Sequence, residues 1–238
     1  MFRETFSKEV FVNGDTVQPY RFHMPEHYAE GKEYPLVLFL HGAGERGDDN
    51  EAQLKIGIGT ALGDPESILH ESFIICPQCP LDRQWVDTPW GKGSYSTKEV
   101  PETVFLATAH KLVAKIMKEY PVDEKKVFVM GISMGGYGTW DSLVRHTEVF
   151  AGGFACCGAG DPSEANRLTS LLIYAYHGSL DGEVPPSGSR DMAAAIASAG
   201  GKSIFFKEYP ELYHNSWDAA YSEFADLNSL LSHEKNND

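Results

Sequence analysis

Val127-Phe128-Val129-Met130-Gly131-Ile132-Ser133-Met134-Gly135-Gly136-Tyr137-Gly138-Thr139-Trp140 decides how this chain is read. The stretch passes from a short run of β-forming apolar residues, through Gly-x-Ser-x-Gly, into a segment where Trp140, Leu143 and Val144 recur at helical spacing. A strand, a sharp turn and a helix in that order hold a serine at the apex of the bend, with its Oγ clear of the sheet. Glycines on both sides let the backbone turn without Cβ clashes. Ser133 is therefore the expected nucleophile. The five-residue pattern by itself also fits a glycine-rich turn with an inert serine, so the flanks carry the argument. Lys125-Lys126 precede an apolar run short enough for a strand buried in a parallel sheet.

A serine hydroxyl is a weak nucleophile at its own pKa, so it needs a histidine base and an acid to orient that base. After a serine in this setting the order is Asp or Glu, then His. Downstream, the apolar run Leu171 to Tyr176 ends in His177-Gly178-Ser179-Leu180-Asp181-Gly182-Glu183-Val184-Pro185, a strand followed by a turn-rich loop that carries acids. Asp181 is the expected acid. The next β-type run, Ile204 to Tyr209, leads into Pro210-Glu211-Leu212-Tyr213-His214-Asn215-Ser216-Trp217, and His214 is the expected base. Both residues follow the carboxyl ends of predicted strands, where ligand crevices form in open α/β sheets. Nine histidines and 34 carboxylates leave rivals: His177 for the base, Glu183 and Asp161 for the acid. His177 precedes Asp181 instead of following it, and Asp161 before Pro162 suits a turn or a helix cap.

The stretch Pro35-Leu36-Val37-Leu38-Phe39-Leu40-His41-Gly42-Ala43-Gly44-Glu45-Arg46-Gly47 is an uninterrupted apolar strand entering a glycine-rich loop. Such a loop can donate one backbone N–H to a developing oxyanion while the residue after the nucleophile donates the other. Ala43 and Met134 are the expected donors, with Gly42 and Gly44 as alternatives to Ala43. Phosphate cradling is the competing use of a glycine loop, but there is no Gly-Lys-Ser/Thr ending and no G-x-G-x-x-G. Glu45, Arg46 and Asp48 read as an ion-paired scaffold, with Arg46 a candidate substrate contact.

These blocks, together with Cys76-Pro77-Gln78-Cys79-Pro80, resemble a compact serine esterase of the α/β-hydrolase superfamily. The resemblance is to the group of feruloyl-esterase-like and polyhydroxybutyrate-depolymerase-like enzymes and predicted peptidases, and it spans residues 35 to 217. It implies hydrolysis of a carboxylic ester through an acyl-enzyme, with Ser133, Asp181 and His214 as the triad. It leaves the acyl group open. A carbohydrate-linked ester, feruloyl or acetyl on plant polysaccharide, comes first, a general short-chain carboxylesterase second and a peptidase third. A non-catalytic binding protein on the same scaffold is usually marked by a broken triad, and here all three members are present.

At 238 residues, 42% hydrophobic and 23% charged, the composition is ordinary for one globular domain covering residues 1–238. No stretch approaches the roughly 20 apolar residues of a membrane span, and Met1-Phe2-Arg3-Glu4-Thr5-Phe6 lacks an apolar signal core. A cytoplasmic enzyme is the expectation, or a secreted one if a signal peptide has been removed. A net charge of −14 repels nucleic acid and anionic membranes, so the expected partner is a small-molecule or carbohydrate ester; nothing in the sequence sets an oligomeric state. Cys76-x-x-Cys79 is followed only by the adjacent pair Cys156-Cys157, which does not complete a zinc ribbon. Ordinary buried thiols explain the set, with a redox role for Cys76 and Cys79 as the minor alternative. The mechanism requires no metal and no organic cofactor.

Along the chain, Val10 to Val12, Asn13-Gly14 and Val17 to Phe22 read as a β-hairpin forming an antiparallel sheet edge. Strands near 36–40, 73–76, 127–130, 150–156, 171–176 and 204–209 alternate with helices near 103–119, 135–146, 188–199 and 216–231. The pattern predicts a roughly eight-stranded, mostly parallel sheet with helices on both faces. The helix holding Lys111 to Lys118 presents a solvated face. About a dozen residues separate the strands at 150–156 and 171–176, too few for a helical lid domain. The one long irregular stretch, 77–102, carries Trp85 and Trp90, expected as pocket walls; the alternative is that they anchor the loop. Trp217 reads as structural.

Overall fold

Eight strands pair into one sheet in the order β1-β2-β4-β3-β5-β6-β7-β8. The strands are β1 (Phe6–Asn13), β2 (Thr16–His23), β3 (Tyr34–Leu40), β4 (Phe73–Pro77), β5 (Val122–Ile132), β6 (Gly152–Cys156), β7 (Leu172–Gly178) and β8 (Ile204–Tyr209). The computed structural model describes residues 2–235. β1 and β2 form the antiparallel edge, β2 runs antiparallel to β4, and every pairing from β4 to β8 is parallel. The hairpin turns one residue later than Asn13-Gly14, because Asn13 stays in β1 opposite Thr16. Its side chain is held there between Thr108 Oγ1 and Lys111 Nζ, both at 3.0 Å. Gly14 then takes the first turn position at φ +59°, which glycine tolerates.

Successive side chains of a strand point to opposite faces, and β3 shows how this makes two cores. Leu36, Leu38 and Leu40 pack on one side with α2 (Val104–Glu119), α3 (Met134–Arg145) and α4 (Ser187–Ser198). Val37 and Phe39 pack on the other with α1 (Ile58–Ala61), α5 (Trp217–Ala220) and α6 (Phe224–Ser232). The helix expected over 216–231 is thus two helices. Glu223 breaks it at φ −78°, ψ +65°, where its carboxylate accepts from Lys207 and from the Tyr209 hydroxyl of β8. Side-chain bonding to a neighbouring strand overrides helical continuity here.

Between β6 and β7 the chain makes only a short 3-10 turn, Pro162–Leu168. No lid covers the carboxyl ends of the strands at this connection. No helix among the described residues is long and apolar enough to cross a membrane.

Candidate active site

Ser133 stands between the end of β5 and the start of α3 with φ +53° and ψ −117°, one of only three non-glycine residues with positive φ among the described residues. A strained apex of this kind persists only if its surroundings over-determine it. Here the Ser133 N–H donates to Cys156 O of β6 at 2.8 Å, and the helix comes down on β3 through Gly135. A Cβ on Gly135 would lie 1.9 Å from Leu40 O, so only glycine admits the approach.

His214 follows β8 and Asp181 follows β7, as the sequence order requires. Ser133 Oγ lies 2.8 Å from His214 Nε2, and His214 Nδ1 lies 2.7 Å from Asp181 Oδ2. A carboxylate can only accept, so Nδ1 carries the proton and Nε2 is free to take one from the serine. Burial opposes a charged imidazole, but the hydrogen bond and negative charge of Asp181 outweigh it and raise the pKa of His214 above the usual histidine value. For Asp181 burial works against ionisation, yet hydrogen bonds from His177, His214 and the Val184 amide hold its carboxyl well below the usual range.

His177, the rival base, does not face the serine. Its ring is fully buried, with Nε2 3.1 Å from both Asp181 Oδ2 and Val184 O, and Nδ1 2.8 Å from Ser189 Oγ. Facing two acceptors, Nε2 must carry a hydrogen, so His177 is a second donor to Asp181. The backbone amides of Glu183 and Val184 fill the other oxygen, Oδ1, at 2.9 Å each. Asp161 is elsewhere: Oδ1 caps the turn at Ser163, while Oδ2 holds the amide and hydroxyl of Thr97, pinning the long loop.

A cavity of about 330 Å³ opens over Ser133 and His214, bordered by Ala43, Glu45, Ile56, Trp90, Val184 and Trp217 among others. Ala43 is thus on the wall, and Met134 begins α3 directly after the serine with its side chain buried. Neither the Ala43 nor the Met134 N–H meets a backbone acceptor among the described residues.

Three expectations need correction. Trp85 is not a pocket wall: it is fully buried, its Nε1–H donates to His41 O at 3.1 Å, and its ring meets His41 edge-on. It anchors the long loop beneath the site. Trp217, read as structural, stands on the cavity wall at right angles to the His214 ring. Glu45, Arg46 and Asp48 form no ion-paired scaffold among the described residues. Arg46 donates to Ala43 O at 2.9 Å and Arg83 O at 3.2 Å, and its guanidinium lies 5.8 Å from the Trp90 ring centre. Arg46 borders a neighbouring cavity of about 520 Å³ with Arg83, Gln84 and Asp87, and Trp90 is the wall common to both cavities.

All four cysteines are buried and free. Burial raises the Cys79 thiol to about 12 and pushes Cys76 up as well, which starves both of thiolate. Beneath the site, Cys157, Asp181 and His214 bring potential metal-ligand atoms within 4.8 Å of one another. There the Cys157 thiol is engaged at 2.8 Å by Ser216 Oγ and at 3.1 Å by His214 O.

Comparison with known proteins places this chain among ester hydrolases. A family model described as phospholipase/carboxylesterase matches residues 27–232. A probable carboxylesterase of Oryza sativa subsp. japonica is 26% identical over 213 residues, covering 80% of this chain and 86% of that protein. A bifunctional acetylxylan esterase/xylanase of Neocallimastix patriciarum is 26% identical over 147 residues, which are 62% of this chain and 19% of that protein. A solved thermostable esterase superposes with a TM-score of 0.87 at 30% identity, covering 98% of this chain and 64% of that one. A ferulic acid esterase of known structure shares the fold, with a TM-score of 0.70 at 16% identity over 94% of this chain and 98% of that one.

Proposed function

Since the chain belongs to the phospholipase/carboxylesterase family and is a carboxylic ester hydrolase of the α/β-hydrolase fold, we propose that it works through an acyl-enzyme on carbohydrate-linked esters, feruloyl or acetyl groups of plant polysaccharide. The observation that carries the acyl-enzyme is the line from Ser133 Oγ to His214 Nε2 at 2.8 Å and from His214 Nδ1 to Asp181 Oδ2 at 2.7 Å. His214 takes the serine proton as Oγ attacks the ester carbonyl, and the Ala43 and Met134 amides hold the oxyanion. The imidazolium returns its proton to the leaving alcohol. Water, deprotonated by the same histidine, then cleaves the acyl group from Ser133, and the imidazolium returns that proton to the departing Ser133 Oγ. Asp181 keeps the histidine in the accepting tautomer throughout.

Two features support a sugar as the alcohol. The serine cavity is bounded by Trp90 and Trp217, aromatic faces suited to a feruloyl ring or a sugar face. Beyond Trp90 lies the cavity with Arg46, Arg83, Gln84 and Asp87, polar groups that can hydrogen-bond hydroxyls. The acetylxylan esterase relative points the same way, while the probable carboxylesterase of rice is named for no particular acyl group.

The test is steady-state hydrolysis of p-nitrophenyl acetate, butyrate and octanoate beside methyl ferulate and an acetylated xylo-oligosaccharide, with Ser133→Ala as the blank. A kcat/KM at least about tenfold higher on ferulate or xylan acetate, about 1.4 kcal/mol of transition-state preference, is the expected result. Preference for the short simple esters would make the protein a general carboxylesterase, and activity retained by Ser133→Ala would remove the acyl-enzyme at this serine.

A further inference from the structure

We propose that Glu102, His110 and His146 form a binding site for a zinc-type divalent cation, remote from the ester-hydrolysing centre. Glu102 lies just before α2, His110 lies within α2, and His146 caps the C-terminus of α3. The fold brings His110 Nδ1 to 2.7 Å and His146 Nε2 to 3.2 Å from the same oxygen, Glu102 Oε1.

The nitrogens that face away from Glu102 have partners of their own. The other nitrogen of His110, Nε2, lies 2.8 Å from Ser142 Oγ, a hydroxyl that also reaches Gly138 O at 2.7 Å. The other nitrogen of His146, Nδ1, faces Glu148 Oε1 at 3.3 Å. Each ring can therefore turn an N–H outward and present its other nitrogen, as a lone pair, on the side of Glu102. A dication fits where Nδ1 of His110, Nε2 of His146 and Oε1 of Glu102 converge. Both imidazoles are then neutral, and each directs its remaining N–H outward, to Ser142 and to Glu148.

That outer arrangement is how metal-bound histidines are usually oriented, by an acceptor on the nitrogen away from the ion. Two imidazole nitrogens and a carboxylate oxygen are zinc ligands, and tetrahedral bonds near 2.1 Å place them roughly 3.4 Å apart. The three ligand atoms already lie within 4.8 Å of one another, so small side-chain shifts suffice. The ligands border a cavity of about 290 Å³ with Met117, Val149 and Phe150, which leaves room for a water in the fourth position. The site joins α2, the end of α3 and the close of the long loop. Ser133 is a whole helix away from His146, roughly 18 Å at 1.5 Å per residue, so the ion would act as a staple and take no part in bond cleavage, although Glu102 also borders the cavity beyond Trp90.

The experiment uses the full chain purified without a polyhistidine tag, stripped with EDTA and desalted. ZnCl2 is the probe for stoichiometry and thermal unfolding, and CoCl2 for coordination geometry. The expected result is one Zn²⁺ per chain and a Tm raised by about 5–10 °C at free metal near 100 times Kd. Co²⁺ should give the intense visible bands of four-coordinate nitrogen and oxygen ligation. His146→Gln and Glu102→Gln should each lose the uptake and the Tm rise. His146→Gln should keep the parent's turnover of p-nitrophenyl acetate, which shows that it folds; if one variant fails to fold, the other and the Co²⁺ spectrum decide. Cys157→Ser should bind zinc as the parent does. No saturable uptake by the parent, or uptake surviving in both His146→Gln and Glu102→Gln, would overturn the proposal. Uptake lost only in Cys157→Ser would place the ion under the catalytic centre instead.

Discussion

Asp181→Asn is the substitution whose outcome the hydrogen-bond geometry determines most tightly. Oδ1 of Asp181 accepts two backbone N–H groups, from Glu183 and Val184, so an asparagine must keep its carbonyl oxygen on that side. Its NH2 is then forced into the place of Oδ2, 2.7 Å from His214 Nδ1 and 3.1 Å from His177 Nε2. A donor now faces the Nδ1 proton, and His214 must move that proton to Nε2, opposite Ser133 Oγ. In that tautomer the imidazole cannot accept the serine proton. The expected loss is on the order of 10⁴ in kcat, about 5.4 kcal/mol at 1.36 kcal/mol per decade, as for other triads forced into the wrong tautomer.

The same change shifts the pH profile. The base must be neutral, so kcat/KM in the parent falls as pH drops through the His214 pKa, which Asp181 holds above 6.5. Without the negative charge, burial prevails and the acidic limb moves to lower pH. The assay is kcat and kcat/KM for p-nitrophenyl acetate from about pH 5 to 8, with circular dichroism to establish folding. A loss of less than about tenfold, or an acidic limb that stays in place, would refute the reasoning. Stability carries a matching sign. The folded-state pKa of Asp181 is depressed, so its contribution is present above the unfolded value of 3.8 and disappears as pH falls through the folded value. The asparagine variant should lack that part of the acid-side fall in Tm.

The remaining predictions concern packing. Gly135→Ala would put a methyl 1.9 Å from Leu40 O and 2.8 Å from His41 O, both backbone atoms. It should cost at least about 3 kcal/mol, seen as a Tm drop of roughly 6–12 °C, and a Tm within about 2 °C of the parent would contradict the close approach of α3 to β3. Trp85→Ala should cost about 3–5 kcal/mol of stability while KM for methyl ferulate and p-nitrophenyl acetate changes in parallel. Trp90→Ala should do the reverse, raising KM for ferulate on the order of fivefold more than for acetate, and equal changes would take Trp90 off the substrate path.

Much of the fold is written locally. Short apolar runs bounded by glycine, proline and charge mark the inner strands β3 to β7, because a strand buried in a parallel sheet must be apolar on both faces. Ser133 is legible because the bend it occupies demands particular neighbours: Gly131 and Gly135 are there since a Cβ at either would strike backbone within 2.3 Å. Asp181 and His214 are legible because chain order and strand ends leave few other places for them.

Relations across space were not legible. Trp85 and Trp90 sit five residues apart in one irregular loop, and nothing local says that one turns into the core while the other turns to the cavity. Arg46 looked like half of an ion pair, yet backbone carbonyls brought near by the fold claim it. The break between α5 and α6 answers to partners on β8, not to helix propensity around Glu223.

By itself, then, the sequence determined the strand and helix succession, the serine turn and the placing of Asp181 and His214 after strand ends, since these depend on steric and hydrophobic rules acting within about ten residues. Only the tertiary structure decided that His177 braces Asp181 from below and that Glu102, His110 and His146 converge from two helices and a loop. Such contacts are set by how packed elements meet in space, and residues 8 and 44 positions from Glu102 carry no local signal that they will share one oxygen.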